Sequence, residues 1–149
     1  MSFDLQRFVD AQAPVYETVL AELRAGRKRT HWMWFIFPQH RALGRSAIAI
    51  RFGLESLEEA RAYLAHPILG GRLRDCTDAM LDSRPDLTAH DILDSPDDLK
   101  FWSCMTTFAL ADEDESRFRQ ALMRFYGGRE DKKGVALLAN ARRDAPGGP

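Results

Sequence analysis

The sequence predicts an all-α protein, a compact multi-helical single domain. Three observations lead there. Apolar residues recur at three- and four-residue spacing in one segment after another, the period of a helix with one buried face. Those segments are punctuated by helix-starting Asp, Ser and Pro and by helix-ending Gly. Only Ser46–Phe52, where Ile48 and Ile50 alternate, reads as a strand, and it has few candidates to pair with.

Taken in order, Asp4 is placed to cap a first helix carrying Leu5, Phe8 and Val9, and Pro14 to open a second with Val15, Val19, Leu20 and Leu23. Gly26 follows where a left-handed C-terminal cap is wanted. Ser56-Leu57-Glu58-Glu59 reads as a capping box, in which Ser and the Glu three residues on satisfy free backbone N–H groups. His66-Pro67 breaks that helix and starts the next, through Leu69, Leu73, Cys76 and Met80. Gly70 and Gly71 weaken it but let another backbone or a ligand approach. Ser95-Pro96-Asp97-Asp98 is a further start signal, with acids at the positive helix end. That helix carries Phe101, Trp102, Met105 and Phe108. Another follows through Phe118, Leu122 and Phe125 to Gly127-Gly128, and a last short one holds Val135, Leu137 and Leu138. Residues 1–143 are read as one domain and 144–149 as a flexible Gly/Pro-rich tail.

The run from Thr30 to Gln39 stands apart. Trp32, Met33, Trp34, Phe35, Ile36 and Phe37 are consecutive, so no period fits them and the stretch is buried all round or lines a pocket. A helix capped by Thr30 and stopped by Pro38 is preferred over a buried strand. His31 and Gln39 bracket the run, and a buried polar group needs a partner.

Bulk properties exclude several functions. A formal charge of −1 on 149 residues gives no global pull toward nucleic acid or anionic membrane. No stretch approaches the roughly 20 apolar residues of a membrane span. The start Met1-Ser2-Phe3-Asp4 lacks signal-peptide regions, and Cys76 and Cys104 form no CxxC, so a reduced, cytoplasmic setting is expected. His31, His40, His66 and His90 show no metal-ligand spacing, so neither metal nor cofactor is expected.

The blocks DLQRFVDAQ, HWMWFIFPQ, SLEEARAYLAHPILGGRL, PDDLKFWSCMTTF and FYGGREDKKGVALL, in this order, resemble the bacterial domain-of-unknown-function family numbered 1810. The resemblance runs from Asp4 to about Leu138 and implies a compact multi-helical domain. It carries no settled activity. Some members bear a calpastatin label, which would imply a disordered, repetitive inhibitor and not a core-rich chain such as this.

The residues themselves point to one site. His31, whose pKa class lies near neutrality, and Asp98 are the candidate catalytic acid and base. Trp34 offers an aromatic face for stacking. Gln39, His66, Lys100 and Ser103 are the candidate ligand-binding residues, His66 through the bare backbone of Gly70 and Gly71 at a helix start. Lys100, Ser103 and Thr106 form a polar stripe at spacing three, which suits a pocket wall. These residues are expected to converge on one concave pocket. The expected occupant is a nucleotide-like or ADP-ribose-like small molecule, bound or hydrolysed at an N-glycosidic bond. The alternative is a non-catalytic protein–protein interaction module. A concave polar pocket favours the first and a flat apolar patch the second.

Overall fold

The computed structural model describes residues 3–143, with side chains through residue 139; the expected tail, 144–149, lies outside the described residues. The protein is all-α, a compact single domain. Its helices are α1 (Gln6–Gln12), α2 (Tyr16–Arg24), α3 (Met33–Ile36), α4 (Ala47–Arg51), α5 (Leu57–Ala65), α6 (Leu69–Leu81), α7 (Ala89–Leu93), α8 (Asp97–Ala111), α9 (Ser116–Tyr126) and α10 (Lys132–Arg143). A 3-10 turn, Arg41–Leu43, precedes α4.

α8 is the axis of the fold. It packs against α5, α7, α9 and α10, while α6 packs against α2, α5 and α9. Phe101, Cys104, Met105, Phe108 and Ala109 on α8 are fully buried. Ring pairs join α8 to its neighbours. Phe108 meets Tyr63 of α5 at 5.4 Å and Phe118 of α9 at 5.7 Å, and Phe101 meets Phe37 edge-on at 4.8 Å. α6 reaches α5 closely because a Cβ at Gly70 would run into the Leu64 carbonyl. Gly71 meets open space.

Several local expectations need correcting. Asp4 does not cap α1, whose first turn follows Leu5 without a side-chain cap. Ser56 caps α5 by accepting from the Glu59 N–H at 3.2 Å, but the Glu59 carboxylate turns to the Glu55 N–H at 2.8 Å and to Arg7 at 3.1 Å. The complete capping box lies at α7, where Thr88 and Asp91 exchange both bonds. Ser95 does not cap α8, which begins after Pro96 with no side-chain cap. Ser46–Phe52 is the helix α4 and not a strand; Ser46 Oγ accepts from Ala49 N–H at 3.2 Å. With no strand among the described residues to take its ladder groups, the Ile alternation forms no sheet. The last helix, α10, is a full twelve residues. Gly26 does end α2, with φ of 77° and the paired bonds Gly26 N–H to Leu23 C=O and Arg27 N–H to Glu22 C=O.

The aromatic run is core. Only Met33–Ile36 is helical, a single turn, with Trp32 and Phe37 buried on either side. Thr30 does not cap it. Its hydroxyl donates to Glu22 Oε2 at 2.7 Å, and Glu22 Oε1 accepts from Arg29 N–H at 2.7 Å, Thr30 N–H at 3.1 Å and the Trp32 indole at 2.9 Å. Burial alone would raise the Glu22 pKa, but these bonds outweigh it and hold the carboxyl at about 2. Gln12 is the second buried polar anchor, donating to Phe35 C=O at 2.7 Å and to the Tyr63 hydroxyl at 2.9 Å.

Candidate functional site

The residues from Gln39 to Gly53 leave the core and fold back on it. The loop closes at its neck, where Arg41 N–H donates to Leu54 C=O and Leu54 N–H to Gln39 C=O, both at 2.9 Å. His40 sits at that neck. Its Nδ1 accepts from Ala42 N–H at 3.0 Å, while Nε2 is buried without a hydrogen-bond partner among the described residues. Burial, then the Arg41 cation, lowers its pKa below the usual histidine value.

Between this loop and the first two turns of α8 lies a cleft of about 690 Å³, closed on its far side by the start of α10. Gln39 and Arg45 come from the loop, Lys100, Trp102 and Ser103 from α8, and Asp131 and Lys133 from the α10 end. A second cavity of about 740 Å³ adjoins it, sharing Leu99, Trp102, Asp131 and Lys133 and adding Tyr126, Arg129, Glu130 and Lys132. Trp102 therefore stands between the two. Its ring stacks on Tyr126 at 5.7 Å with the planes 26° apart, and its indole N–H donates to Arg129 C=O at 2.8 Å. The Tyr126 hydroxyl is fixed in turn on the Asp98 carbonyl.

The floor of the cleft is polar and tightly bonded. The Ser103 hydroxyl donates to Asp131 Oδ2 at 2.5 Å, the short distance of a charge-assisted bond. Thr106 Oγ1 accepts from Asp131 N–H at 2.9 Å. Ser103 and Thr106 of the stripe thus face the start of α10, while Lys100 turns toward Asp97 and Trp34. The rim is cationic. Arg45, Lys132 and Lys133 make no ion pair among the described residues. Lys100 is tethered more loosely, with Nζ 3.6 Å from Asp97 and 5.4 Å from the centre of the Trp34 ring. Asp97 also holds Lys28 at 3.0 Å, which ties the segment before α3 to the start of α8.

Of the residues singled out from sequence, Gln39, Lys100 and Ser103 share the cleft, and Trp34 stands behind Lys100. The other three do not join them. His31 is exposed on the loop before Trp32, so it needs no buried partner. His66 Nδ1 accepts from Ile68 and Leu69 N–H at 3.1 and 3.3 Å, capping α6 on another part of the fold. Asp98 lines neither cavity; its carboxylate lies 3.5 Å from His90. The full convergence is therefore corrected to a smaller set. Trp102, Asp131, Arg45 and Lys133 were missed. The signal for Asp131 was present, an acid within Arg129–Lys133 just before a helix, but sequence distance hid its partner Ser103. Cys76 and Cys104 are free and buried, and burial pushes the Cys76 thiol up to about 12, which removes both as nucleophiles.

Among the described residues no cluster of three or more His, Cys, Asp or Glu is arranged to hold a metal ion, and no helix is long and apolar enough to cross a membrane. These features define a class, an all-helical domain with a basic cleft built around a stacked Trp–Tyr pair. Residues 2–138 match the family described as "Protein of unknown function (DUF1810)", and the chain belongs to that family. It is similar to the conserved hypothetical protein Rv1873 from Mycobacterium tuberculosis, known from a crystal structure at 1.38 Å. The two are 55% identical with a TM-score of 0.90, over 92% of this chain and 97% of that one. No curated protein matches the chain.

Proposed function

We propose that this protein binds a small anionic molecule carrying a planar ring, of which a nucleotide is the type, in the cleft between the Gln39–Gly53 loop and α8. The observation that carries this reading is the convergence of Arg45 and Lys133, unpaired among the described residues, with Lys100 around the partly exposed ring of Trp102. Cations with no protein anion to neutralise them attract a phosphate, and an aromatic wall offers a stacking surface to a base. Two adjoining cavities suit a ligand with two parts. A cytoplasmic setting accompanies this reading, supported by the two free cysteines.

The hydrolase form of the idea has less behind it, because His31 and Asp98 lie outside the cleft. We therefore place binding first. The interaction-module alternative rests on the exposed apolar side chains Ile48, Ile50, Ile68, Leu99 and Met123, of which Leu99 lines both cavities.

A thermal-shift titration with AMP, ADP and ADP-ribose tests the proposal. A ligand at about 100 times its Kd stabilises the native state by about 2.7 kcal/mol. For a domain of this size that raises Tm by about 5–10 °C. Lys100→Ala should abolish the shift while leaving the unliganded Tm within about 2 °C, since the ammonium makes only loose contacts, 3.6 Å to Asp97 and 5.4 Å to the centre of the Trp34 ring. No shift with any of the three ligands would refute the proposal and leave the interaction module standing.

A further inference from the structure

Asp131 is out of place in a simple anion site. A carboxylate beside a phosphate weakens its binding, yet this one is only 7% exposed, on the wall that the two cavities share. Its position is fixed from two sides, by Ser103 on Oδ2 and by Thr106 on the backbone N–H. It stands at the N-terminus of α10, where Val135 N–H donates to its carbonyl at 2.9 Å and its Oδ2 lies against Gly134, so the helix end accounts for a carboxylate here but engages one oxygen only. The other oxygen, Oδ1, has no protein donor among the described residues and is not sealed from solvent, so it is open to a bound molecule.

We propose that Asp131 reads the ligand: Oδ1 accepts a hydrogen bond from a hydroxyl of the bound molecule, so the cleft prefers phosphorylated sugars, nucleotides among them, over bare phosphate. This rests on the anion-binding reading above. The donor is a neutral hydroxyl and not an amine, because Lys100, Lys133 and Arg45 around the same cleft repel a second cation. The division of labour follows from the geometry. The cations on the rim take the phosphate, and the carboxylate fixed in the floor takes the sugar. A site built around a buried acceptor rejects a molecule that cannot donate to it, since the acceptor is then left desolvated and unpaired.

Calorimetric titration of the whole chain with inorganic phosphate, ribose 5-phosphate and AMP tests this. The native protein should bind ribose 5-phosphate and AMP at least about ten-fold more tightly than inorganic phosphate, the worth of one charged hydrogen bond. Asp131→Ala, which removes the acceptor, should shrink that preference to within about two-fold, and inorganic phosphate should bind as well or better because a negative charge is gone. Lys133→Ala should weaken all three ligands alike and leave the ratio unchanged. Equal binding of phosphate and ribose 5-phosphate by the native protein overturns the role of Asp131, whether or not the Ala variant folds. A preference that survives Asp131→Ala, or that falls in Lys133→Ala instead, overturns it as well. If the native protein binds none of the three, the anion-binding reading itself fails and takes this one with it.

Discussion

α3 and α4 are neighbours in the chain, each little more than one helical turn, and they sit at opposite extremes of burial. Met33, Phe35 and Ile36 of α3 are buried, whereas α4 buries nothing and leaves Ile50 51% exposed. Helices this short have no stability of their own, so something outside each must hold it. For α3 that is packing: Phe35 meets Phe52 at 5.4 Å, Phe37 meets Phe101, and Glu22 pins Trp32. For α4 it is loop closure, with the His40–Leu54 bridge at the neck and the Ser46 cap at the start. Apolar residues in sequence therefore announce different things. A dense aromatic run became core, and a sparse Ile alternation became the outer wall of a cleft. The functional candidates follow the second pattern, because a wall held at its ends, by the neck and by Arg7 on the Arg51 carbonyl at 2.8 Å, leaves room for a ligand where one packed along its length does not.

The comparison breaks first at Phe35. Truncating a ring that is 8% exposed and held edge-on against Phe52 removes packing that the neighbouring helices cannot collapse to replace. Phe35→Ala should cost about 3–5 kcal/mol in urea unfolding. A loss under about 1 kcal/mol would mean that α3 is not a core element and would erase the contrast with α4.

Glu22 sharpens it through pH. Its folded pKa of about 2 lies below the ordinary 4.5, so the unfolded chain binds the proton more tightly. The stabilisation is complete above about pH 4.5 and is lost as pH falls through about 2. It is on the order of 2 kcal/mol. Between pH 5 and pH 2 the native protein should lose that much more stability than Glu22→Gln, which should start lower by a similar amount. Parallel curves for the two would show that the clamp on Arg29, Thr30 and Trp32 carries no energy. His40, on the α4 side, titrates in a separate window. Its lowered pKa means that stability falls as pH drops below about 6.5, and Glu22→Gln should leave that portion of the curve unchanged.

Local signals in the sequence located most helices, although the caps expected at Asp4 and Ser95 are not made. The helical periods, the Gly26 stop and the start of α5 at Ser56 all depend on residues within about five positions, and each is present. The signals failed where a partner comes from far along the chain. Thr30 reads as a cap until Glu22 is seen to claim its hydroxyl. Ser103 reads as half of a polar stripe until Asp131, 28 residues on, meets it. His31 and His66 were chosen for their chemistry; nothing local indicates that His31 faces solvent, whereas His66 stands just before Pro67 at a helix start, where a cap of α6 is the plain local reading. Half of the site was legible for that reason: α8 brings its own Lys100 and Ser103, while its opposing walls arrive by tertiary contact.

The smallest expected effect is at Ile50, and it completes the contrast with Phe35. Its side chain is about half exposed on a helix that buries nothing, so replacing it creates no cavity and returns little apolar area to water. Ser has a helix propensity close to that of Ile, which removes the other obvious cost. Ile50→Ser should therefore change the unfolding free energy by no more than about 0.5 kcal/mol, with an unchanged urea slope. It should also leave the nucleotide thermal shift intact, because Ile50 lies outside the cleft beside Lys100 and Trp102. A loss above about 1 kcal/mol would mean that α4 packs on something in solution, and the open wall of the cleft would then be an occupied one. An intact fold with a lost thermal shift would mean that the ligand reaches the outer face of α4, and the cleft's boundary would need to be redrawn to include it.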